Sequence, residues 1–246
     1  MDRIAIISDI HGNVPALMSV MDDILARNID RIFCLGDMVG KGPHSDMAVD
    51  IVREHCEIVI QGNWDDFIGN PTDQPDLLWH QRRLGADRLS YLASLPFSFD
   101  FWMSGRYVRL LHASPESVYT RVQPWHPVEK RLTMFENSDK TGTAAHGGLP
   151  DVVGYGDVHN AYVQHFPGKM LFNAGSVGNP LEIPQASYAI MEGQYESREP
   201  GVLAITLIRV PYDIEEAIRL AEEAEMPQFE PYKRELRTAR YRGLSS

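Results

Sequence analysis

The chain has 246 residues, 43% hydrophobic and 23% charged, with a formal net charge of −11. That length and apolar share suit a globular protein with a substantial core. The acidic balance argues against a polymeric nucleic acid as partner, because backbone binding rests on Lys and Arg; no run approaches a membrane span, so no membrane partner is expected.

The first stretch, Ile4 to Ser8, reads as a buried strand that stops at Asp9-Ile10-His11-Gly12-Asn13. The apolar run after Arg3 is too short for a secretory signal. Leu17, Val20, Met21, Ile24 and Leu25 then recur at three- and four-residue spacing, which predicts a helix closed near Asn28. A strand over 31–35 runs into Gly36-Asp37, so the opening is a strand–helix–strand unit. Residues 36–44, with three glycines and a proline, read as a tight surface loop. Its Lys41 either faces a phosphate or is a solvated loop lysine. Ser45 is expected to cap the next helix, and a strand over 57–61 leads to Gly62-Asn63-Trp64-Asp65. The helical pattern from Asp65 to Leu95 is broken at Pro71 and Pro75 and ends at Pro96. Within it, His80 lies beside Trp79, Arg82 and Arg83, as a substrate-facing group or part of an exposed helix face.

Alternation at Phe97, Phe99 and Phe101, then Gly105 and a strand over 107–111, predicts a hairpin ending at His112. A loop over 113–126 and a short helix from Pro127 to Glu136 follow. A strand over 151–155 runs into Gly156-Asp157-Val158-His159. Strands near 161–166, 170–173, 188–192 and 202–210 predict a second half that is largely antiparallel. Asp213 with Glu216 forms a capping box, and Lys233 to Arg242 reads as a basic terminal helix. Nothing divides the chain, so one domain over 1–246 is expected. Cys34 and Cys56 read as free thiols of a reducing, cytoplasmic compartment. A homo-oligomer is compatible with all of this.

Five strand-like runs therefore end in residues able to bind a metal: Asp9, His11, Asp37, Asn63, His112, Asp157 and His159. Open α/β sheets place ligands at the carboxyl ends of their strands. Carboxylates, imidazoles and one amide suit a borderline or hard divalent ion. The set is too large for one six-coordinate ion and sufficient for two that share a carboxylate.

Asp9-Ile-His11, Gly36-Asp37, Gly62-Asn63-x-Asp65, His112 and Gly156-x-x-His159 resemble, in order and spacing, the motifs of the calcineurin-like metallophosphoesterases. Gly40-x-Gly42-Pro43, Leu111-His-x-Ser-Pro115, Asn173-x-Gly-Ser-Val177 and Val210-Pro-Tyr-Asp213 extend the resemblance to a bacterial subgroup of small phosphodiesterases and dinucleoside polyphosphate hydrolases. The resemblance implies an α+β fold of four layers, α/β/β/α: a β-sandwich of two mixed sheets flanked by helices. It implies one divalent ion on Asp9, His11, Asp37 and His159, and a second on Asp37, Asn63, His112 and Asp157. Asp37 and a hydroxide would bridge them. Mn²⁺ is the expected ion, with Mg²⁺, Fe²⁺ or Ni²⁺ as alternatives. Asp37, Asn63 and His11 are the catalytic candidates, and Lys41, Trp64 and His80 the substrate-binding ones.

Two positions depart from the family pattern. Trp64 stands where a phosphate-contacting His is common, and an indole has no acid–base function. Asp157 stands where the first His of Gly-His-x-His is usual, which lowers the charge of the site by one or signals a degraded second metal site. His80 and His146 are left as unassigned candidates for the missing acid. Trp64, Phe67, Trp79 and Trp125 are either packing groups or platforms for a nucleobase. The expected activity is hydrolysis of phosphodiester or phosphoanhydride bonds in a small phosphate ester or nucleotide. The alternatives are a phosphomonoesterase or protein phosphatase, and a catalytically weak metal- or nucleotide-binding protein.

Overall fold

The computed structural model describes residues 1–141 and 148–243; His146 lies outside the described residues. The first strand, β1 (Asp2–Ile7), is apolar on both sides because both sides are covered. Ile4 and Ile6 point into the core between two sheets, and Ala5 and Ile7 into the core under the helices. Helix α1 (Val14–Ala26) is capped by the Asn13 side chain, which accepts from the Ala16 N–H, and buries Leu17, Val20 and Ile24. It returns the chain to β2 (Arg31–Cys34), parallel to β1. Helix α2 (Ser45–His55) leads to β3 (Ile58–Val59), which pairs with β2 over two residues, shorter than the run at 57–61 predicts. His44, not Ser45, is the residue before α2; the Ser45 hydroxyl instead accepts from the Gly40 N–H at 3.0 Å.

After α3 (Asn63–Phe67) and α4 (Pro75–Ala93), a second sheet begins with the hairpin β4 (Ser98–Met103) and β5 (Arg106–Leu111). After helix α5 (Val128–Leu132), a 3₁₀ turn over Thr133–Phe135 packs Met134 and Phe135 on that sheet's outer face. Then come β6 (Val152–Tyr155), β7 (Tyr162–Phe166), β8 (Lys169–Asn173), β9 (Ala186–Gly193) and β10 (Ala204–Val210). Helices α6 (Ile214–Glu223) and α7 (Phe229–Thr238) close the chain. The first sheet has the order β10-β9-β1-β2-β3 and the second β4-β5-β6-β8-β7. Both are mixed, with helices outside, as the resemblance implies.

The expected antiparallel second half is corrected in two ways. β6 runs parallel to both its neighbours, β5 and β8, while β9 and β10 join the first sheet. All four residues of β6 are buried, the environment typical of parallel strands. β7 reaches the sheet edge beyond β8, so close spacing along the chain does not impose a meander. Among the described residues no helix is long and apolar enough to cross a membrane.

Candidate metal centre

Parallel pairing puts the carboxyl ends of β1, β2 and β3 at one edge, and those of β5, β6 and β8 at one edge of the facing sheet. The loops after them are laced together by backbone hydrogen bonds that continue the ladders. The N–H groups of Asp9, His11 and Gly12 donate to the carbonyls of Gly36, Asp37 and Met38 at 3.0, 2.9 and 2.9 Å. The loop at 36–44 is therefore largely buried rather than the surface loop its glycines suggested. The Gly156 N–H donates to the His112 carbonyl at 2.9 Å, and the Gly178 N–H to the Asp9 carbonyl at 3.0 Å.

Five of the candidates also share an uncommon backbone conformation. Asp9, His11, Asp37, Asp157 and His159 all have φ between 50° and 61°. A non-glycine residue there costs about 1–2 kcal/mol, and such strain gathers at functional sites. The structure holds five of the seven candidates in this conformation.

The side chains meet at the centre. The His11 and His159 Nδ1 atoms lie 2.9 and 2.6 Å from the carbonyls of Val39 and Asn179. A carbonyl only accepts, so each Nδ1 carries a proton, and in the neutral ring that leaves the Nε2 lone pair for a cation. Those two Nε2 atoms are 3.2 Å apart. His159 Nε2 is 3.2 Å from Asp9 Oδ1, a buried oxygen with no hydrogen-bond partner. Two imidazole nitrogens and an unpartnered buried carboxylate oxygen thus converge, a donor set that fits a cation. His112 is oriented in the same way, its Nδ1 donating to the Leu35 carbonyl at 2.8 Å. Its Nε2 faces Asn63 Oδ1 at 3.0 Å and Asp37 Oδ1 at 3.5 Å. The other Asp37 oxygen, Oδ2, is 3.7 Å from His11 Nε2. Asp37 therefore faces both imidazole groups. Asp9, His11 and His159 form one set with ligand atoms close enough for a common ion, and Asp9, Asp37 and His112 form another.

The electrostatics agree. Burial alone would raise the Asp9 carboxyl, but His159, His112 and His11 outweigh it and hold it well below the usual range. Burial alone would lower His112, yet Asp37 overrides it and lifts it to about 10, a measure of how strongly this spot draws positive charge. His11 is held far below its ordinary value by burial and by Lys41.

The remaining candidates are placed differently. Asp157 accepts both guanidinium N–H groups of Arg121, at 2.9 and 2.8 Å, while its own backbone N–H donates to Asp9 Oδ2 at 3.0 Å. It belongs to neither set above. Lys41 donates to Asn179 Oδ1 at 3.0 Å, and burial brings its ammonium down to about 8. The Trp64 backbone N–H donates to Asp37 Oδ1 at 2.8 Å, and its indole meets the His11 ring edge-on with centroids 6.0 Å apart. His80 is buried behind Trp64, 3.4 Å from the Ser45 hydroxyl, and burial lowers it to about 4. It is neither on an exposed helix face nor gathered with the metal-ligand candidates. Trp79 packs against α6 and α7 under the Arg83 guanidinium.

Sequence reading left Asp65 without a role. Its carboxylate accepts from the N–H groups of Asp37, Met38 and Gly62 at 2.7, 3.1 and 3.0 Å, fixing the loop that aims Asp37. The spacing Gly62-Asn63-x-Asp65 was the available signal. Arg121 had none, since 36 residues separate it from Asp157. Buried Glu235 was hidden in a tail that reads as basic.

The chain is 29% identical, over 92% of its length and 94% of the relative's, to an uncharacterized protein of Methanocaldococcus jannaschii. It is similar to the crystal structure of a metallophosphoesterase from Sphaerobacter thermophilus, with TM-score 0.75, 26% identity and coverage of 96% and 99% of the two chains. A hypothetical protein of Pyrococcus horikoshii OT3 matches in fold at TM-score 0.77, with 18% identity over 100% of both chains. The model of the calcineurin-like phosphoesterase superfamily domain matches residues 2–196, and the chain belongs to that superfamily.

Proposed function

We propose that the protein is a binuclear metal-dependent phosphohydrolase acting on phosphodiester or phosphoanhydride bonds of small substrates, nucleotides among them. The observation that carries this reading is the convergence of His11 Nε2 and His159 Nε2 with Asp9 Oδ1, a buried oxygen without a hydrogen-bond partner. Asp9, His11, Asp37 and His159 would hold one ion, and Asp37, Asn63 and His112 the second. Asp157 completes the second set by resemblance, though its carboxylate is already neutralised by Arg121. Bound divalent ions supply Lewis acidity and bring a water to a pKa near neutrality. Mn²⁺ suits the mixed oxygen and imidazole donors. The protein's part is to hold those donors: Asp65 and the Trp64 N–H fix Asp37, and the carbonyls of Val39, Leu35 and Asn179 orient the imidazoles. The free thiols Cys34 and Cys56 suit a reducing, cytoplasmic setting.

The test is turnover of bis(4-nitrophenyl) phosphate and 4-nitrophenyl phosphate with added Mn²⁺. The diester should be hydrolysed faster, and a chelator should abolish both reactions. Faster monoester turnover would make the protein a phosphomonoesterase. No turnover with Mn²⁺, Mg²⁺, Fe²⁺ or Ni²⁺ would leave a metal-binding protein without hydrolase activity.

A further inference from the structure

A cavity of about 400 Å³ opens directly beside the metal-ligand candidates, with Asp157 and His159 in its wall. Much of the remaining wall comes from segments that carry no metal-ligand candidate. The loop after β5 contributes Arg121 and Trp125, and the chain after α7 contributes Arg240 and Tyr241. In a chain of net charge −11, this mouth gathers Lys41, Arg121 and Arg240. It also carries two aromatic side chains that no core needs: Trp125 is 69% exposed and Tyr241 42%.

The walls are fixed in place. Asp157 grips Arg121 through both carboxylate oxygens and so fixes its guanidinium at the cavity wall. Beyond α7, the buried carboxylate of Glu235 accepts from the Arg242 backbone N–H at 2.7 Å and from its guanidinium at 2.6 Å. Asn179 donates to the same carboxylate at 3.2 Å, accepts from Lys41, and orients His159 through its carbonyl. The tail is thereby tied to the residues that aim the site.

We infer that this cavity is the subsite for the esterified group of the substrate, and that it selects phosphate esters whose alcohol carries a planar aromatic ring. Trp125 and Tyr241 supply ring faces, and Arg240 supplies charge for the phosphate. The inference rests on the hydrolase reading for its placement but concerns binding, so the two are tested separately. Asp157 is here a positioning residue for Arg121.

The experiment is calorimetric titration of the Mn²⁺-loaded protein with two matched pairs: AMP against ribose 5-phosphate, and phenyl phosphate against methyl phosphate. Stacking of one ring on an aromatic side chain is worth about tenfold or more in affinity. The aromatic member of at least one pair should bind about tenfold more tightly, and which pair shows it tells a nucleoside from a simple aryl ester. In Trp125→Ala and Tyr241→Ala, which remove exposed side chains and so spare the fold, that preference should drop to about threefold or less. Equal affinity within both pairs, or a preference untouched in both variants, overturns the inference. Preferential binding without turnover of any ester would sink the hydrolase reading and leave the subsite standing. Turnover without preference would do the reverse.

Discussion

Gly62 has no room for a side chain: a Cβ there would lie 2.2 Å from Asp37 Oδ1 and 2.3 Å from the Asp37 nitrogen. Gly62→Ala should therefore displace a carboxylate that faces both His11 and His112. We expect Mn²⁺ affinity to fall roughly tenfold or more, as when a ligand loses its orienting shell; metal titration checks this, and unchanged affinity would mean that Asp37 is not a ligand. Gly40 is constrained in the same way by Trp64, whose ring would lie 2.1 Å from an added Cβ. The indole thus fills a space prepared for it beside His11, and it supplies no proton. Rates along a series of aryl diesters should accordingly fall steeply as leaving-group pKa rises. A flat dependence, with chemistry rate-limiting, would show that another side chain donates. The residues around these glycines were legible because each motif is local and its chemistry lies in a few side chains. Arg121 and Asn179 were not, because their roles come from contacts with residues 36 and 138 positions away.

At the scale of elements, the parallel strands decide where the site lies, and α7 decides how firmly its wall is held. Burial alone would raise the Glu235 carboxyl, but Arg242 and Lys41 prevail and hold it below its ordinary 4.5. A carboxyl depressed on folding contributes stability above its unfolded pKa and loses it as pH falls through the folded value. Glu235→Gln should thus lower stability at pH 7 by about 2 kcal/mol, the usual worth of a charge-assisted hydrogen bond. The gap between variant and wild type should close as pH falls below 4.5; urea unfolding at several pH values measures it. A gap that stays constant down to pH 3 would contradict the ion-pair account. Helical periodicity placed α1 well, since one face of it is buried, whereas the terminal helix read at Lys233 to Arg242 lies four residues earlier, at Phe229–Thr238. It could not show that residue 235, an acid among Lys and Arg, is fully buried. The loop at 36–44 was misread for a related reason: glycines mark turns wherever they occur, and only the ladder to residues 9–12 buries this one.

Across the whole molecule, two mixed sheets face each other through a core that includes Ile4, Ile6, Phe33, Leu110, Phe172 and Met191. The loops of both sheets meet at one rim, so five stretches far apart in the chain build one cluster. Alternation and run length revealed the strands, but not which sheet each would join. The order β10-β9-β1 depends on pairing across nearly the full chain, from Asp2 to Gly193. The central claim is that this rim holds two ions and that hydrolysis needs both. The most direct measurement is turnover of bis(4-nitrophenyl) phosphate by metal-free protein titrated with Mn²⁺. Activity should be absent at the start and should rise until two equivalents per chain are bound. Full activity at one equivalent, or turnover that persists under excess chelator, would contradict it.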